Sequence, residues 1–178
     1  MPNQALLEFY GGTGLDSAGR TIEEVWAFDH ERLEGVHDYI QWLFPSAQPS
    51  QYNKTAPLLD AETADIFRDD RLLKARVLRS LRLLLDFYGL ELVDSPMSAV
   101  TVRKAKHYAL RRANWQDAPA GKLNHNLLRL TRIQECLRNT GLEPYARALF
   151  GCLAEIQREQ PQQIPEPTLV YWSRAAAG

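Results

Sequence analysis

Between Asp70 and Gly89 the residues Leu73, Val77, Leu81, Leu84 and Tyr88 recur at helical spacing, and this stripe constrains the fold more than any other feature of the chain. A helix built this way has an apolar face that must be buried, while Arg71, Lys74, Arg79 and Arg82 supply its polar surface. Asp69 or Asp70 is placed to cap the start, and Gly89 to end the helix in the left-handed conformation. One long helix is therefore expected, and the rest of the chain must provide elements to cover it.

Those elements also read as helices. Gly11, Gly12, Gly14 and Gly19 argue against an early helix, so residues 1–20 are expected to be a flexible segment. The first ordered helix then starts at Thr21, where Thr21 to Glu24 matches a capping box, and Ile22, Val25, Trp26 and Leu33 follow at helical spacing. Gly35 is a candidate break. A short helix over Val36 to Phe44 should stop before Pro45, and a proline-punctuated loop runs from Pro45 to Pro57. Asp60 caps a helix reaching Phe67, and another is expected over Val100 to Ala113. Asn124 or Asn126 opens the next, with Leu127, Leu130, Ile133 and Leu137 as its stripe and Asn139 and Gly141 at its end. Pro144 fits the first turn of a last helix through Ile156. Residues 161–178, with Pro161, Pro165 and Pro167, read as an extended tail that packs back through Tyr171 and Trp172. Strict alternation is sustained nowhere, so an all-α, irregular single-domain bundle of about six to eight helices is expected, with its helical domain over 21–160.

Size and composition support this. A chain of 178 residues with 45% hydrophobic side chains can bury a core without metals or disulfides. It shows no signal-peptide pattern and no apolar run near the roughly 20 residues that span a bilayer, so no membrane span and a cytoplasmic location are expected. The net charge of −1 hides an asymmetry: residues 1–70 hold four basic and thirteen acidic side chains, residues 71–178 seventeen and nine. Either an acidic layer packs beside basic helices, or a basic groove awaits an anionic ligand. Cys136 and Cys152 fall on apolar helix positions, where a thiol behaves as a small hydrophobe.

Patterns for catalysis are weak. His30, Glu34, His37 and Gln41 would share one helix face, but only if the helix ran through Gly35, and no second motif completes a metal site. Gly11-Gly12-Thr13-Gly14 lacks the lysine of a phosphate-binding loop. Glu23-Glu24 and Asp69-Asp70 sit at helix starts, where acids favour the dipole. No cofactor is implied. A His-dependent enzyme using His37 or His125 as general base is one alternative. Nucleic-acid binding through the basic segment 103–112 is another, because Arg103, Lys104, Lys106, Arg111 and Arg112 come with Tyr108 and Trp115 nearby. The slightly acidic chain and the absence of a recognised nucleic-acid motif disfavour it.

The stretch His37-Asp38-Tyr39-Ile40-Gln41-Trp42-Leu43-Phe44-Pro45 is the most distinctive. His37 and Gln41 either satisfy each other's surroundings in the core or open onto a pocket. With Asn53 and Ala56-Pro57, this stretch resembles the signature of the opioid growth factor receptor conserved region. Further blocks follow in the family's order: Asp86-Phe87-Tyr88-Gly89 with Leu92, Asn114-Trp115, His125-Asn126 with Leu128 to Ile133, and Leu137 with Gly141-Leu142-Glu143. The likeness covers about Phe9 to Glu159. It implies a helical domain that in vertebrate members is described as a receptor for an enkephalin peptide, associated with the nucleus and its membrane. With extra residues around Ala118 to Lys122 and none of the family's extended tail or repeats within these 178 residues, a compact, bacterial member is the expectation.

The resemblance assigns no ligand-binding residues, so the candidate site rests on residue chemistry. It joins His37, Gln41 and Trp42 to Asn114, Trp115, His125, Asn126 and Arg129. The helix entered at Asn124 to Asn126 offers unpaired backbone N–H groups to an anion, Arg129 lies one turn inward, and the tryptophans would supply apolar walls. The expected occupant is a peptide or small anionic ligand, or a protein partner. The alternative is that Asn126 merely caps a helix and Arg129 pairs with an N-terminal acid.

Overall fold

The computed structural model describes residues 1–50, 53–95, 98–116 and 124–178. The extra residues around 118–122 lie outside these, as do residues 51–52 of the expected proline loop. Most described residues are helical, but the structure corrects the all-α expectation with a two-stranded antiparallel hairpin. The helices also exceed six to eight in number, because several are single turns. Two compact units are distinguished: residues 1–80 with 139–141, and residues 81–138 with 142–178. No described helix is long and apolar enough to cross a membrane.

In the first unit, α1 (Gln4–Gly11) is followed by α2 (Ile22–Trp26), α3 (His30–Gly35), α4 (Ile40–Leu43), α5 (Ala61–Asp69) and the first half of α6 (Arg71–Tyr88). A helix thus precedes the expected start at Thr21. Asn3 caps α1 by accepting from the Leu6 N–H at 3.2 Å, and Gly12, at φ 81°, closes it. The glycines end this helix; they do not prevent it. At α2 the capping box forms in both directions, Glu24 N–H donating to Thr21 Oγ1 at 3.2 Å and Thr21 N–H to Glu24 Oε2 at 2.7 Å. Asp29, Asp60 and Asp70 cap α3, α5 and α6 by accepting from the N–H three residues on. Four of the thirteen acids of residues 1–70 thus serve at helix starts.

The core of this unit is aromatic. Phe9 meets Trp42 edge-on at 5.2 Å, Tyr10 meets Phe67 at 4.9 Å, and Phe28 meets Tyr39 at 5.7 Å. Their polar tips find backbone acceptors: Tyr10 OH donates to the Leu43 carbonyl, and Tyr39 OH to that of Leu33 at 2.9 Å. Cations cover the outer ring faces, with Arg32 at 4.0 Å over Phe28 and Arg79 at 4.0 Å over Trp26.

The second unit continues from α6 into β1 (Leu90–Ser95) and β2 (Ser98–Lys104), then α7 (Tyr108–Arg111), α8 (Ala113–Gln116), α9 (His125–Asn139), α10 (Glu143–Glu159) and α11 (Glu166–Ala177). Gly89, at φ 75°, makes the exit from α6; a Cβ there would stand 2.8 Å from the Tyr108 Cα. The helix expected over Val100 to Ala113 is corrected to a strand, a turn and a short helix. Val100, Thr101 and Val102 are β-branched, which disfavours helix and suits a pleated surface. Leu92 pairs with Val102 and Glu91 with Arg103, whose side chains meet at 2.7 Å. The tail expected to be extended is also helical. Pro165 caps α11 and Pro167 occupies its first turn, where proline costs no intrahelical hydrogen bond. Helix α10 packs against β2 and α11, and Trp172 Nε1–H donates to the Leu127 carbonyl of α9 at 3.2 Å.

Leu84 is fully buried and Leu72 is 60% exposed on the same helix. Leu84→Ala should therefore cost roughly 2–5 kcal/mol and Leu72→Ala less than about 0.5 kcal/mol, measured by urea denaturation.

Candidate functional site

The eight residues proposed from sequence divide between the units: His37, Gln41 and Trp42 belong to the first, and Asn114, Trp115, His125, Asn126 and Arg129 to the second. In the first, α3 stops at Gly35 and Val36 turns extended, with φ −93° and ψ 133°. His30 and Glu34 are therefore on α3, His37 in a loop and Gln41 on α4. Among the described residues, no group of three His, Cys, Asp or Glu is arranged to hold a metal ion. His37 is exposed. Gln41 is buried, and with its amide nitrogen turned towards the carbonyls of His37 and Asp38 it donates to both at 3.2 Å. Trp42 is buried against Phe9 and donates from Nε1 to Ser17 Oγ at 3.2 Å.

The second set is drawn together by one side chain. Asn126 has no exposed surface. Its Nδ2 donates to the Asn114 carbonyl at 2.7 Å, while its Oδ1 accepts from Arg129 Nη1 at 3.2 Å and from Tyr88 OH at 3.4 Å. Asn114 in turn donates from Nδ2 to the Phe87 carbonyl at 2.8 Å. Trp115, fully buried, donates from Nε1 to the Tyr88 carbonyl at 3.0 Å. The end of α6, helix α8 and the start of α9 thus meet at a polar node. Tyr88 and Asn124 belong to it, although Tyr88 reads in sequence only as part of an apolar stripe. Asn124 Oδ1 accepts from the Asn126 N–H at 2.9 Å and its carbonyl from the Leu127 N–H, so Asn124 performs the capping at α9. This leaves the Asn126 side chain available for the node. Each member could be found only by noting that short polar residues interrupt three helix ends.

Arg129 is 5% exposed, and its guanidinium is held in the protein interior one turn inside a 15-residue helix. A buried cation near the positive end of a helix dipole favours negative charge in its surroundings. His125, by contrast, is exposed at the mouth of the same helix. The basic residues considered for nucleic acid do not form one helical face. Arg103 pairs with Glu91, Lys104 pairs with Glu159, and Lys106 lies in a turn.

Neither cysteine has the surroundings of a nucleophile. Burial pushes both thiols up, Cys136 and Cys152 each to about 12, so they stay protonated near neutrality.

A mostly helical module, with a small hairpin and a buried amide–guanidinium node at a helix start, is the class of protein that these observations define. Comparison with known proteins gives it a family. The sequence matches the Opioid growth factor receptor (OGFr) conserved region over residues 4–176, and the chain belongs to this family. It is 34% identical over 151 residues to the human protein called opioid growth factor receptor, covering 80% of this chain and 21% of that one. The mouse protein of that name is 34% identical over 160 residues, covering 86% and 24%. Mouse opioid growth factor receptor-like protein 1 is 32% identical over 136 residues, covering 74% and 27%. The chain thus spans about a fifth to a quarter of the length of these curated relatives. No solved structure matches it.

Two outcomes are expected. Asn126→Ala should destabilise the protein by roughly 2–4 kcal/mol, because it removes a fully buried amide that bonds both the Arg129 guanidinium and the Asn114 carbonyl. Both thiols should resist thiol reagents in the native state. Their folded pKa lies above the ordinary value of 9.0, so the stability they contribute is present below pH 9 and is lost as pH rises towards 12. Urea titrations across that range check the sign.

Proposed function

We propose that the chain is a non-enzymatic binding module that takes a peptide or small ligand through a carboxylate, at the start of α9. The observation that carries this reading is the buried Arg129 guanidinium, oriented by Asn126 one turn inside a long helix whose mouth presents exposed His125. A guanidinium fixed by a neighbouring amide loses little further freedom on meeting a carboxylate. The family adds support: relatives are named as receptors for a growth factor, which points to a peptide as the class of ligand. Trp115, fully buried, acts in this reading as rigid packing of the same unit and not as an open wall.

The test is a thermal-shift and calorimetric comparison of three probes: an enkephalin peptide, the same peptide with its C-terminus amidated, and acetate. The free acid should raise the melting temperature, since a ligand selective for the native state stabilises it by about 2.7 kcal/mol at a hundred times its Kd. Arg129→Lys, checked for folding by circular dichroism, should weaken that binding at least roughly tenfold, because lysine cannot reproduce the planar fork. Equal binding of acid and amide, or an unchanged Kd in Arg129→Lys, would sink the assignment.

A further inference from the structure

Helix α11 has two well-defined faces. Its inner face, with Thr168, Trp172, Ala175 and Ala176, is buried, and Arg138 Nη1 reaches across to the Arg174 carbonyl at 2.7 Å. Its outer face is open. Val170 is 48% exposed and Tyr171 62%, and together with Glu166, Pro167 and Arg174 they line a hollow of about 400 Å³. Large apolar side chains left exposed and contiguous on a helix mark a contact surface more often than isolated ones do.

The order of charges along this face identifies the occupant. Glu166, Val170 and Arg174 are spaced by four and form one row along the helix, acid at the N-terminal end, apolar in the middle and base at the C-terminal end. Neither Glu166 nor Arg174 forms an ion pair among the described residues. The row is its own complement when reversed. In an antiparallel pair centred on Val170, Glu166 of each copy faces Arg174 of the other, because both stand about 6 Å from the centre at 1.5 Å per residue. A parallel pair would set like charges together. We propose that the outer face of α11 is a self-association surface, which takes α11 of a second copy of this chain across a two-fold axis at Val170. Pro167, Val170 and Tyr171 of each copy fill the hollow of the other, and two symmetry-related Glu166–Arg174 pairs fix the direction. This is an isologous contact, with one patch serving both sides. A single helix face buries less than the roughly 1,200 Å² of a standard interface, so the dimer is weak and depends on concentration.

Sedimentation velocity on the whole chain across a wide dilution series tests this. The wild type should move from monomer to dimer as concentration rises. Glu166→Arg and Arg174→Glu should each weaken the dimer roughly tenfold or more, because each sets like charges opposite one another twice. Mixing the two variants should restore association, since in the heterodimer both facing pairs become attractive. Recovery on mixing cannot arise from a misfolded variant. A wild type that stays monomeric at every concentration overturns the proposal. So does a dimer indifferent to either charge change, or a mixture that associates no better than its components.

Discussion

A buried amide cannot remain unpaired, and the second unit is arranged around satisfying one. Asn126 offers two donors and an acceptor with no exposed surface, so its hydrogen-bonding groups need partners inside the fold. The Asn114 carbonyl of α8 accepts from it at 2.7 Å. Tyr88 and Phe87 reach the node because α6 terminates at Gly89, where the chain turns into β1. Had α6 continued by another turn, the carbonyls of Phe87 and Tyr88 would be consumed inside the helix and could not accept from Asn114 and Trp115. The positive φ of Gly89 and the polar node are therefore two parts of one solution.

Sequence reading was most reliable where one local rule decides the outcome. The stripe of α6, the caps at Thr21, Asp60 and Asp70, the break at Gly35 and the first-turn position of Pro144 depend on near neighbours only, and all of them appear. It failed where a residue has two opposite uses. Gly12 can prevent a helix or end one, and the Asn3 cap decides for the second. Pro165 and Pro167 can extend a chain or open a helix, and the buried Trp172 anchors the second. The basic run from Arg103 looked like a helix face because its charges dominate the eye. Val100 to Val102 carry the stronger backbone preference, and the partners of Thr101 and Val102, Val93 and Leu92, lie on a neighbouring strand that periodicity cannot see.

The candidate site was legible as a set of residue types and not as a geometry. Asn114-Trp115 and His125-Asn126 stand apart in sequence, and their meeting required knowing where the backbone of α8 stands beside the start of α9. His37, Gln41 and Trp42 place polar atoms within an aromatic segment. Gln41 is satisfied by carbonyls three and four residues upstream, and Trp42 by Ser17, so the first unit accounts for these polar atoms through folding alone. The same holds for much of the acidic charge of residues 1–70. Asp16 and Asp38 hold Arg20 at 2.7 and 2.6 Å, and Glu23 holds Arg76 at 3.1 Å.

This distinction decides what the charge of Arg129 signifies. Arg32 and Arg79 lie over aromatic faces, where a delocalised cation is weakly hydrated and stays in contact with solvent, so burying their stems costs little. Arg129 is in a different situation: its guanidinium is almost wholly withdrawn from water, and a neutral amide is among the groups that hold it. A fold seeking stability alone could fill that volume with an apolar side chain at no loss, as buried ionic groups are frequently replaceable in this way. Keeping a positive charge there, close to a helix start, therefore depends on the groups that hold it, and Asn126 ties that requirement to the ends of α6 and α8.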